Sequence, residues 1–102
     1  MAEKIFKSVE EWFNQSEYDF STADCMYRAG RYIYAVFMIH LSLEKLLKGL
    51  YVLYLNENPP RTHNLVLLQE RIQNKYDMKL SGKQNELIEF LNEKSVPSRY
   101  PD

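Results

Sequence analysis

Apolar side chains recur at steps of three and four residues along the first third of the chain. Val9, Trp12, Phe13, Ser16, Phe20, Ala23 and Tyr27 fall on one stripe of a helix, and Glu10, Glu11, Glu17, Asp19 and Asp24 dominate the rest of its surface. Its start is written in Ser8-Val9-Glu10-Glu11. A hydroxyl and a carboxylate at that spacing satisfy two amides that a helix beginning leaves unpaired. The helix runs to about Ala29, where Gly30 supplies the stop because a residue without a side chain enters the left-handed cap conformation cheaply. From Arg31 to about Asn56 there is no breaker, and apolar residues surround the first half, the pattern of a helix enclosed by neighbours. A joint of one or two residues at Gly30 makes these two long helices antiparallel.

Glu57-Asn58-Pro59-Pro60-Arg61-Thr62 is a loop, since adjacent prolines remove donors and push the preceding residue out of the helical region. Thr62, His63 or Asn64 caps a third helix with Leu65, Leu68, Ile72 and Tyr76 facing inward. Ser81-Gly82-Lys83-Gln84 repeats the capping pattern and opens a fourth helix carrying Leu87, Ile88 and Leu91 inward. Ser95 to Asp102, with Pro97 and Pro101, reads as extended. The expectation is an all-α, antiparallel up-and-down bundle of four helices in one domain, 1–102.

Length and composition narrow this picture. A chain of 102 residues supports one hydrophobic core, not two. Thirteen Lys and Arg against fourteen Asp and Glu leave a net charge of -1, so any polyanion contact has to come from a local patch. A single cysteine, Cys25, excludes an internal disulfide and four-cysteine zinc sites and fits a reducing, cytoplasmic setting. The longest unbroken apolar run, Tyr32 to Ile39, is far short of a membrane span, and the first residues carry no signal-peptide run.

The candidate chemistry concentrates on the second helix. His40, Glu44 and Lys48 stand at successive four-residue steps and so share a face. An imidazole one turn from a carboxylate is an acid-base pair, and the lysine would hold a phosphate. The plainer alternative is a polar strip that solubilises the helix. No second pair of ligands accompanies His40 and Glu44, so no metal site and no cofactor is expected. His63 either hydrogen-bonds the loop or helix start, or meets a nucleotide there together with Arg61. Cys25, beside Asp24, reads as an inert, partly covered thiol. Arg28, Arg31, Lys45 and Lys48 form the net-positive stretch, with Tyr27, Tyr32 and Tyr34 interleaved either as stacking surfaces for RNA or as core and interface residues.

Trp12, Asp19, Ala23, Gly30-x-Tyr32, Ala35-x-Phe37, Glu44-Lys45-Leu46-Leu47-Lys48, His63-Asn64-Leu65 and Arg99-Tyr100-Pro101-Asp102 together resemble the HEPN (higher eukaryotes and prokaryotes nucleotide-binding) superfamily. The resemblance spans essentially the whole chain. It implies a bundle of four or five helices, commonly dimeric and often encoded beside a minimal nucleotidyltransferase as a toxin and antitoxin pair. Catalytic relatives cut RNA with an Arg followed after four to six residues by His. Here His40 stands nine positions after Arg31 and twelve after Arg28, and His63 two after Arg61, so that motif is absent. Relatives usually continue into a last helix, whose absence would leave an apolar groove between the first two helices for a partner or a second copy to cover. Carried over to this chain, Arg99 lies near the groove, pairing with Asp19 or Glu44 or facing a phosphate. The leading expectation is a non-catalytic or degenerate HEPN-type module that forms a homodimer and binds a nucleotidyltransferase, a nucleotide or an RNA, with Arg31, Lys45, Lys48, His63 and Arg99 as contacts. The alternatives are a ribonuclease toxin working through His40 with Glu44 or Arg99, and a purely structural assembly module.

Overall fold

The computed structural model describes residues 4–94. Four helices follow in order: α1 (Val9–Arg28), α2 (Tyr32–Leu55), α3 (Leu65–Lys75) and α4 (Gly82–Lys94), with no strand among the described residues. The expected extended tail from Ser95, and Arg99 with it, lies outside the described residues.

The helix ends are where local chemistry puts them. Ser8 and Glu11 form the reciprocal capping box of α1. At its other end Gly30 adopts φ 76°, its N–H donates to the Tyr27 carbonyl and that of Arg31 to the Met26 carbonyl, which together close a Schellman turn. Asn56 ends α2 in the left-handed conformation, a role asparagine tolerates better than other side chains. Asn64, one of the three expected candidates, caps α3 by accepting from the Leu67 N–H. Ser81 and Gln84 cap α4 reciprocally.

The helices are not packed symmetrically. α2 is shared: α1 lies along one side of it, and α3 and α4 pack on the other, with α1 approaching neither. Leu47 and Tyr51 of α2 join Leu65, Leu68, Ile72, Ile88 and Leu91 in the hydrophobic core. The α1–α2 contact is made by small side chains instead. Ala35, Ser42 and Gly49 recur every seven residues along α2, and the Ser16 and Ser42 hydroxyls each donate to the other's backbone carbonyl at 2.7 Å. A methyl group on Gly49 would sit 2.6 Å from Phe13 Cε1 and 3.1 Å from Trp12 Cβ. Gly49→Val should therefore cost about 1–3 kcal/mol by overpacking. Thermal unfolding checks this, and a wild-type midpoint would mean that the Phe13 ring simply swings aside.

Four inward assignments are corrected by this architecture. Phe20 and Tyr27 are 61% and 64% exposed, because α1 has one neighbour rather than two. Leu87 faces outward while Ile88 and Leu91 fill the α4 side of the core. Tyr76 is the C-cap of α3 and stacks on Tyr54 near the surface, ring centroids 4.1 Å apart. The first turn of α2 is likewise not enclosed, since Tyr32, Ile33 and Tyr34 are exposed. Cys25 is exposed rather than partly covered. The groove expected between the first two helices is present, lined by Phe20, Ala23 and Tyr27 of α1 and Tyr32, Val36 and Ile39 of α2. Among the described residues no helix is long and apolar enough to cross a membrane.

Candidate functional site

The four-residue steps of α2 do bring His40, Glu44 and Lys48 together, but inside the protein. All three are buried, so the solubilising strip is not what forms. Glu44 is the centre. One carboxylate oxygen, Oε2, accepts from Lys48 Nζ at 3.0 Å, and the other, Oε1, accepts from His63 Nδ1 at 2.8 Å. His40 Nε2 lies 3.7 Å from Oε1. His63 reaches this point because it immediately precedes the Asn64 cap of α3, where the chain turns back against α2.

His40 has no exposed surface, and both of its ring nitrogens face carbonyl oxygens: Nδ1 that of Leu91 at 3.2 Å, Nε2 that of His63 at 3.1 Å. A neutral ring donates to one of these oxygens, and a doubly protonated ring donates to both. A ring N–H of the imidazole thus ties α2 to α4 at Leu91 or to the α2–α3 loop at His63, and Glu44 fixes the same loop through the His63 side chain. Asn92 adds a third tie by accepting from the Leu65 N–H at 2.8 Å.

Trp12 closes the cluster from α1. Lys48 Nζ lies 5.7 Å and Lys7 Nζ 4.1 Å from the indole ring centroid, within cation–π range. The indole N–H is buried with no acceptor among the described residues. Buried charge of this kind stands only when paired, and here each charged group meets an opposite charge, a hydrogen-bond acceptor or a π-face.

The expected basic face does not assemble as one. Lys45 pairs with buried Asp19 at 2.5 Å, Lys48 with Glu44, and Arg28 with Asp24 at 3.2 Å on the surface. Arg31 is exposed at the start of α2 and makes no ion pair among the described residues. The tyrosines gather at the hairpin tip, Tyr27 and Tyr32 with ring centroids 5.4 Å apart. His63 keeps 57% of its side chain exposed even while bonded to Glu44. The two carboxylates considered as partners for Arg99, Asp19 and Glu44, are both engaged by other groups. Among the described residues no three His, Cys, Asp or Glu side chains are grouped to hold a metal ion.

Sequence reasoning missed two parts of this arrangement. The Leu91 carbonyl is invisible to side-chain patterns, although a His with no solvent exposure always needs such an acceptor. The seven-residue recurrence of small residues facing α1 was legible, and it is the signal that locates Gly49 and the close α1–α2 contact beside the cluster.

Compared with known families, residues 9–102 match the family model of the HEPN domain. No curated protein and no solved structure matches the chain.

Proposed function

Because this chain belongs to the HEPN domain family, we propose that it is a non-catalytic or catalytically degenerate member that dimerises and binds a minimal nucleotidyltransferase, a nucleotide or an RNA. The observation that supports this most is the occupied state of its polar centre. A general base needs a free lone pair within reach of the proton that it removes. Each Glu44 oxygen already accepts a bond, from Lys48 or from His63, and the group is buried, while His40 is sealed between the carbonyls of Leu91 and His63. With no Arg and His at the ribonuclease spacing, the cluster serves as a clasp that holds the loop and α4 on α2. Lys45 and Lys48 belong to the scaffold in this reading. Arg31 and the exposed edge of His63 are the described groups from the candidate set left to meet a phosphate or a partner's acidic side chain.

Purified protein incubated with single-stranded RNA should leave the RNA intact. Cleavage that His40→Ala abolishes, in a variant with an unchanged circular dichroism spectrum, would establish the ribonuclease alternative instead. Titration calorimetry with a nucleoside triphosphate and with a short RNA measures binding directly. Loss of one charge-assisted contact in Arg31→Ala should weaken it roughly tenfold. If neither ligand gives heat and a co-expressed minimal nucleotidyltransferase does not co-purify, the assembly-module reading replaces this one.

A further inference from the structure

Along the edge of α2 between its α1-facing and its core-facing sides runs an unbroken aliphatic repeat. Val36, Ile39, Leu43, Leu46, Leu50 and Leu53 alternate steps of three and four through the whole helix, the spacing of a coiled-coil seam. At 100° per residue this row lies between the α1-facing row of Ala35, Ser42 and Gly49 and the core-facing row of His40, Leu47 and Tyr51. Four of the six are half-buried at the margin of the core, while Leu46 and Leu53 are exposed. The row is continuous with the α1–α2 cleft, about 520 Å³, through Val36 and Ile39, and there Phe20 and Tyr27 stand open to solvent.

We infer that this strip is the contact surface for a second copy of the chain, with the two α2 helices packed antiparallel about a two-fold axis near Glu44 and Lys45. The inference rests on the dimerisation in the function proposed above and gives it a surface. Three observations select this occupant. First, the repeat is self-complementary. About that axis Val36 comes level with the other copy's Leu53, Ile39 with its Leu50 and Leu43 with its Leu46, so each exposed leucine meets an aliphatic position and none meets a charge. Second, the area is right. Two aromatic rings of 150–250 Å², each about 60% exposed, plus the open leucines amount to on the order of 500 Å² of apolar surface per copy. That is the apolar share of the roughly 800 Å² per partner that a stable interface buries. Third, the ends are compatible in charge. An antiparallel pair brings the exposed Arg31 of one α2 beside the Glu57–Lys75 ion pair of the other copy, whereas a parallel pair would set Arg31 against Arg31. The two α1–α2 hairpins would then complete a four-helix layer that α1 alone leaves open, since it touches neither α3 nor α4.

Light scattering should give twice the chain mass for the wild-type protein and the single chain mass for Leu46→Glu and Leu53→Glu. Both positions are exposed, so both variants should keep the wild-type circular dichroism spectrum. In a Cys25→Ala background, a short bismaleimide should join two copies through Leu46→Cys but not through Leu53→Cys. The former pair is offset about 5 Å along the axis and the latter about 25 Å. A monomeric wild type would overturn both the strip and dimerisation. A dimer that persists in Leu46→Glu, or that does not cross-link at position 46, would overturn the strip alone. Cross-linking at both positions would overturn the antiparallel register.

Discussion

Glu44→Ala should lower the unfolding free energy by about 3–5 kcal/mol, the cost of leaving buried charge without its partner. The carboxylate receives Lys48 on one oxygen and His63 on the other, and Glu44 and Lys48 are both buried while the His63 ring stays partly open to solvent. Removing it strands the Lys48 ammonium against Trp12 and releases the His63 side chain that pins the start of α3. A domain of this size has about 5–15 kcal/mol in total, so the variant should be partly unfolded at room temperature. Urea unfolding measures the effect as a shift in midpoint at constant slope. Glu44→Gln keeps an acceptor for His63 but turns an amide toward Lys48, and should lose less. The double variant Glu44→Ala/Lys48→Met should recover part of the loss, because the stranded ammonium is gone. Wild-type stability in Glu44→Ala would show that the carboxylate carries no part of the clasp.

Leu68→Ala should cost about 2–5 kcal/mol for a different reason. Leu68 has no exposed surface and sits in the core cluster with Leu65, Ile72, Ile88 and Leu91, where a deleted side chain leaves a cavity that the short α3 and α4 cannot collapse. At about 4–8 °C per kcal/mol for a domain of this length, the melting midpoint should fall by at least ten degrees or so. Leu87→Ala is the control. It sits on the same helix pair but is 52% exposed, and should change stability by no more than about 0.5 kcal/mol. Equal losses at the two positions would mean that Leu87 is covered in solution, which would point to a contact on the outer face of α4.

Much of the fold was legible along the chain because its signals are local. Ser8 with Glu11, Gly30, the Pro59-Pro60 loop, Asn64, and Ser81 with Gln84 each act on backbone within a few residues of themselves, and each acts as its chemistry requires. The inward assignments of Leu65, Leu68, Ile72, Ile88 and Leu91 hold for the same reason. Phe20, Tyr27, Tyr76 and Leu87 failed together because a stripe reports which face of a helix is apolar, not whether a neighbour arrives to cover it.

The candidate site divides in the same way. Sequence alone determined that His40, Glu44 and Lys48 share a face, since helical geometry fixes residues four apart. It also determined the absence of the ribonuclease spacing. Only the tertiary structure decided that this face is interior, that His63 returns to it across nineteen residues of chain, and that His40 finds the Leu91 carbonyl fifty-one residues away. Those contacts depend on how a loop and a fourth helix close over α2, and burial is what converts the same three side chains from a solvated strip into a clasp. The dielectric and the number of available partners are properties of the packed interior, and no stretch of sequence contains them.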